Sequence, residues 1–332
     1  MKINNSRFIF MLLIMIISID GFCQGEGIHK VGTTSFQFLK VMPDARSTAM
    51  GEAFTAVANN SEAVFWNPAA LAKVTGFDVS LSYLDWLLDM KHQSFSLAYA
   101  VPGVGTVGFM GMMINIGDIQ ETRVDHLYRD DVTGIFNPGL TGRIISPGAI
   151  VFGIAFARNL TDKFAFGATA KYAREDLVAH AASAMIFDGG FTYRTGFRSL
   201  ELASSIRHFG PEIKFLEDGE SYPLPQTLTI GVSAYLVSPE NSFLLSADDH
   251  KLLLAYDMVE ARDYGQQYHM GAEYALHDML FLRCGYKMNY DEEGLALGFG
   301  FNIFNTRIDY SYCDFGESLD AVHRFSVGFM KN

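Results

Sequence analysis

Residues able to do chemistry are few in this chain, and their spacing argues against catalysis. Gly103-Val104-Gly105-Thr106-Val107-Gly108 matches the GxGxxG spacing by which a strand–turn–helix unit holds a dinucleotide pyrophosphate. That use needs a helix whose first amides meet the phosphate. Here the glycines follow Pro102 and open an alternating apolar stretch, so a hairpin turn is expected instead. No GxSxG, HExxH, P-loop or CxxC pattern occurs, and the 9 histidines are dispersed. His208, His250 and His269 suit loop or lumen positions better than a ligand set. No catalytic, cofactor-binding or metal-binding residue is assigned, and no enzyme activity or cofactor is expected.

The informative charges are those that recur at every second position. Asp78, Lys171, Asp188, Arg194, Glu201, Arg207, Glu273, Arg283, Lys287, Arg307 and Asp309 each sit opposite an apolar row. In FDVSLSY, Phe77, Val79, Leu81 and Tyr83 face away from Asp78, Ser80 and Ser82. Period-two alternation puts the two sets on opposite faces of a strand. The same pattern runs through HQSFSLAYAV, AIVFGIAF, AFGATAKYAR, MIFDGGFTYRTG, LELASSIR and TLTIGVSAYL, then YHMGAEYAL, FLRCGYK, LALGFGFNIF, RIDYSY and RFSVGFM. VGTVGFMGMMINIG is a further segment with less distinct faces. There are about fourteen such segments, each near the ~10 residues a tilted strand needs to cross a bilayer. An Arg or Lys facing lipid at midplane would cost about 2–4 kcal/mol, so the charged rows must point into a lumen. Mixed signs there can cross-link the interior or line a selective path.

Composition agrees with this reading. The chain has 332 residues, 49% hydrophobic and 14% aromatic, with only 19% charged. Such an apolar chain with one continuous apolar run fits strands that hide hydrophobicity at alternate positions. The 31 glycines suit turns and small lumen positions. A net charge of −12 without a basic stripe excludes nucleic acid as a partner. A soluble sandwich is the rival architecture, disfavoured by tyrosines near strand ends, by length and by export. The expectation is an all-β transmembrane antiparallel barrel of about fourteen strands, in contact with outer-membrane lipid.

Export is read from residues 8–19, an apolar run preceded by Lys2 and Arg7 and followed by Gly21-Phe22-Cys23. That is a signal peptide, too short to span a bilayer. Cleavage after Cys23 is expected; a lipidated Cys23 would need a small residue where Phe22 stands. Cys284 shares parity with Leu282 and Tyr286, whereas Cys313 shares parity with Arg307 and Asp309. The two thiols therefore face opposite ways, and no disulfide is expected between them.

Residues 33–72 break the alternation. Phe36, Phe38 and Leu39 cluster, Asp44 and Arg46 flank an alanine, and small residues run from 47 to 58. Asn67-Pro68 announces a short helix, because Asn caps free amides and Pro tolerates the first helical position. The expected organisation is a signal peptide over 1–23, a plug or hatch over 24–75, and the barrel over 76–332. Asp44 and Arg46 are expected to fix the plug inside the barrel, and Asn67-Pro68 to cap a helix closing its periplasmic end. Residues 118–143 are expected to be strand ends around a long loop on the outside, and residues 210–225 another loop.

Pro43-Asp44-Ala45-Arg46, Met50-Gly51 and Trp66-Asn67-Pro68-Ala69 together resemble the PorV/PorQ family of outer-membrane proteins. The likeness continues through VSLSYLDWL, FGATAKY, DGGFTY and SSIRHFG…LPQTLTIG, nearly the whole mature chain. The glycine-rich run usual after the arginine is Ser47-Thr48-Ala49-Met50-Gly51-Glu52 here. The resemblance implies a FadL-like fourteen-stranded barrel with an N-terminal segment folded into it. It also implies a non-enzymatic accessory of type IX secretion, with a protein partner: translocon, cargo signal domain or attachment complex. Gly51 and Trp66 join Asp44, Arg46, Asn67 and Pro68 as its motif residues. The alternative is a FadL-like passive channel for small hydrophobic compounds, gated by the plug.

Overall fold

The computed structural model describes residues 32–216, 218–316 and 319–331; the signal peptide expected over 1–23, Cys23 included, lies outside them. Strands begin as soon as alternation does. They are β1 (Phe77–Asp85), β2 (Lys91–Val101), β3 (Gly105–Asn115), β4 (Ile119–Arg129), β5 (Phe136–Ile145) and β6 (Gly148–Asn159). Next come β7 (Phe164–Asp176), β8 (Ala181–Arg194), β9 (Glu201–Phe209), β10 (Thr227–Ser238), β11 (Leu245–Ser246) and β12 (His250–Ala261). The last are β13 (Gln267–Leu276), β14 (Leu280–Met288), β15 (Leu295–Ile303), β16 (Thr306–Cys313) and β17 (Val322–Lys331).

Apart from the two-residue β11, which pairs parallel to the end of β10, neighbours in the main sheet run antiparallel. β1 pairs with β17, and β9 pairs with β10, so the sheet closes into a barrel of fourteen strands. Thirteen of these are the alternating segments named above. The fourteenth, β12, has no clean alternation, because Leu252, Leu253 and Leu254 follow one another on both faces.

In residues 118–143 the expected strand ends take up most of the segment, and the loop between them shrinks to 130–135. β4 and β5 form a separate two-stranded ribbon whose side chains are nearly all exposed. It continues the β3–β6 pair, which is joined beyond Asn115↔Gly148 by the amide of Ile116 donating to the Pro147 carbonyl at 3.1 Å. The connection at 210–226 is irregular among its described residues, with one bridge between Ile213 and Tyr222. The three shortest turns, at 102–104, 277–279 and 304–305, share the end of the barrel opposite the ribbon. Bacterial barrels keep short turns on the periplasmic side, which makes the ribbon end the outer mouth.

Outward faces carry Leu81, Phe152, Ile154, Phe299 and Val327, all exposed. Tyr83, Tyr172 and Tyr286 sit towards the outer mouth and Tyr99 and Tyr193 towards the inner one. Amphipathic rings at both levels form the girdles that flank a hydrocarbon layer. Cys284 is exposed on this surface, Cys313 is buried, and both are free thiols.

The core is in the lumen. Trp66, Phe36, Phe54, Met50 and Leu71 are among the largest fully buried side chains, and all belong to residues 36–71. This hatch is made of short pieces: a 3₁₀ turn at Gln37–Lys40, α1 (Ala45–Ala49), α2 (Ala63–Trp66) and a 3₁₀ turn at Pro68–Lys73. The helix expected after Asn67-Pro68 is thus the tighter 3₁₀ form, squeezed between Gly167 of β7 and the approach to β1.

Candidate functional site: the hatch and the wall it meets

The hatch seats backbone to backbone. A Cβ at Gly285 would strike the amide of Gly51 and the carbonyl carbon of Met50. At Gly271 it would meet the Met50 carbonyl oxygen at 2.5 Å, and at Gly167 it would meet Pro68 and Ala69. Gly190 leaves room for the Asn67 carboxamide, and Gly108 for the Leu71 side chain. These inward glycines form a track that lets the hatch lie flat against the strands. Gly51 answers them with φ +60°, a conformation costly for other residues, and its own Cβ would come within 2.6 Å of the Tyr286 amide.

Side chains then pin what the glycines admit. Asp44 caps α1, its Oδ1 accepting from the Ser47 amide and its Oδ2 from the Trp66 indole, each at 2.8 Å. This ties α1 to α2 across the lumen. Arg46 donates through Nε and Nη2 to both oxygens of Glu273, each at 2.9 Å, and through Nη1 to Asn59 Oδ1 at 2.7 Å. Its guanidinium also lies over the Phe54 ring. Glu273 in turn accepts from Arg283 at 2.6 Å, and Arg283 reaches Asp309 at 2.6 Å. Four alternating charges thus run from hatch to wall, each satisfied by its neighbours, the arrangement that makes buried charge tolerable.

The other charged residues divide by position. Asp78 pairs with Arg307 at 2.9 Å and accepts the Ser61 amide at 2.9 Å. Lys171 meets Asp188 at 2.6 Å, and Asp188 accepts the His208 amide at 2.8 Å. Lys287 binds Glu52 at 2.6 Å and also Glu293. Glu201 meets Lys73 at 2.5 Å. Among the described residues Arg207 forms no ion pair; it lies over the Trp66 ring at 5.1 Å and donates to the Phe65 carbonyl at 3.3 Å. Arg194 is exposed at the inner end of β8, outside these networks. Asn67 bonds the Ala69 amide, the Thr55 carbonyl and the Phe191 carbonyl of β8.

Asp257 and Asp263 were not legible as partners. Asp257 of β12 accepts from the amides of Phe54 and Thr55 at 3.0 and 2.9 Å. Asp263 sits in the 262–266 connection and binds the start of the hatch. The glycines of the polar rows were the available signal for the track, since a residue with no side chain on a lumen face invites close backbone approach.

A chamber walled by Leu39, Val41, Met42, Pro43, Phe65, Met110, Met112 and Val151, with Lys171 and His208 on one side, has a volume of about 10 Å³. That is room for about one water molecule. No set of three or more His, Cys, Asp or Glu among the described residues could hold a metal ion.

A closed fourteen-stranded barrel with its own N-terminal segment folded into the lumen is an outer-membrane barrel architecture. Solved structures place it more narrowly. The chain is similar to the Ralstonia pickettii toluene transporter TbuX, with TM-score 0.58 and 13% identity over 88% of this chain and 100% of that one. It is similar to the CymD monoaromatic hydrocarbon channel at TM-score 0.56 and 12% identity, covering 87% and 98%. A Pseudomonas aeruginosa FadL homologue gives TM-score 0.53 and 11% identity, covering 87% and 98%. The fold is therefore FadL-like. No family model matches the chain, and no curated protein sequence does.

Proposed function

We propose that this protein is an outer-membrane channel for small hydrophobic compounds, held shut by its hatch. The observation that carries this is the largely apolar, methionine-lined chamber between hatch and wall of a FadL-like barrel. Thioether side chains repack easily around apolar guests, so Met42, Met110 and Met112 suit a space that must swell to admit one. Similar barrels are a toluene transporter and a monoaromatic hydrocarbon channel, which makes toluene the probe of choice. Liposomes containing the purified full chain should take up toluene faster than protein-free liposomes. Equal rates would overturn the reading.

A second reading follows from the PorV/PorQ resemblance and from the ribbon. β4–β5 exposes Val124, Leu127, Phe136, Leu140 and Ile144 beyond the mouth, and exposed apolar surface of this extent marks a place where another molecule sits. In this reading the protein serves type IX secretion and binds cargo or an attachment-complex partner there. Pull-down from detergent-solubilised outer membranes should recover a large protein, and deletion of residues 119–145 should lose it. Recovery of the barrel alone, with bound lipid, would sink this second reading.

A further inference from the structure

The first residues of the hatch are fastened differently from the rest. Thr34 Oγ1, Gln37 Nε2 and Lys40 Nζ all reach one oxygen, Asp263 Oδ2, at 2.7, 3.0 and 2.6 Å. The Ser35 amide donates to the Pro223 carbonyl at 2.8 Å, and the Phe36 ring meets Phe215 edge-on at 6.2 Å. These anchors come from the 210–226 and 262–266 connections at the outer mouth. From Met42 onward the anchors are strands: Arg324 Nε donates to the Met42 carbonyl, the Ala45 amide to Ser326 Oγ, and Arg46 to Glu273.

Two more facts bear on residues 34–41. Phe36 holds φ +51° although fully buried, and a bulky side chain stays in the left-handed region only where its surroundings force it there. Leu39 and Val41 also line the chamber, together with Phe65. A strained segment, held by loops and walling a space in the lumen, has the features of a closure.

We propose that residues 34–41 form a lid over the chamber, latched by Asp263 and released at the outer mouth while residues 53–73 stay seated. The Asp263 carboxylate is the latch because donors from positions 34, 37 and 40 converge on it. Release relaxes Phe36, and Pro43, next to the Arg324-bound Met42, is where the moving part ends. The consequence for transport rests on the channel reading; the lid itself does not.

Amide exchange followed by mass spectrometry on the full chain in detergent micelles tests this. Asp263→Asn should raise exchange at residues 35–41 at least tenfold and leave 53–73 unchanged. A Thr34→Cys/Asp263→Cys pair in a Cys284→Ser background should, when oxidised, suppress that exchange and cut uptake in the toluene assay at least tenfold. Reduction should restore both. Unchanged exchange in Asp263→Asn overturns the proposal, and so does an equal rise at 53–73, which would mean that the hatch moves as one body. If exchange behaves as expected but neither the wild type nor the reduced pair admits toluene, the lid stands and the channel reading falls.

Discussion

The lumen and the outer ribbon invert the usual rule of inside and outside. Within the lumen Arg46, Glu273, Arg283 and Asp309 are buried, because each finds its opposite within 2.9 Å. In β4–β5, Val124, Val132 and Phe136 stand exposed above the membrane, and Glu121 meets Arg123 and Arg143 only at 3.7 Å. A two-stranded ribbon with no third layer is marginal on its own. Burial in this protein follows what lies across the gap, not polarity.

Matched substitutions sharpen the contrast. The largest effect is expected from Gly285→Val, whose side chain has no space against Gly51. The hatch should leave the lumen, exposing Arg46 to trypsin, while heat-modifiable gel migration of the barrel persists. Gly142 in the ribbon has open space around it and φ +79°, so Gly142→Ala should cost only about 1 kcal/mol and leave Arg46 protected. Trypsin resistance in both variants would erase the distinction.

A smaller effect is expected where ions replace backbone contact. Arg46→Ala leaves Glu273 with Arg283 alone and should lower stability by about 3 kcal/mol in a denaturant titration. Arg143→Ala, on the exposed ribbon, should cost about 0.5 kcal/mol or less. Equal losses would show that burial adds nothing to the lumen pair.

The smallest effect concerns acid. Burial raises the Asp263 carboxyl, but hydrogen bonds from Lys40, Gln37 and Thr34 outweigh it and hold the group below its ordinary 3.8. A carboxylate with a depressed folded value contributes stability above its unfolded value and loses it as pH falls through the folded one. Protection factors at residues 35–41 should therefore stay level from neutral pH to about 4 and decline below it. The ribbon turn, where Asp130 accepts the amides of Val132 and Thr133, holds its own carboxyl low as well. A lid that loosens near neutral pH would refute the latch assignment.

Most of the barrel was legible because lipid outside and a polar lumen inside write a period of two into each strand. β12 escaped because its leucines serve both lipid and hatch. The ribbon escaped because neither of its faces meets lipid or a core, so no solvent contrast imposes a period. Asp44, Arg46 and Asn67 stood out from their neighbours in the sequence, but Asp263 is 223 residues from Lys40 and nothing local marks it. Long-range pairing is written in three dimensions only.

The glycine track has a last consequence, for assembly. Notches at Gly108, Gly167, Gly190, Gly271 and Gly285 leave the inner wall uneven until Leu71, Pro68, Asn67, Met50 and Gly51 fill them. Each notch takes one bulge of the hatch, so hatch and wall fit together in a single register.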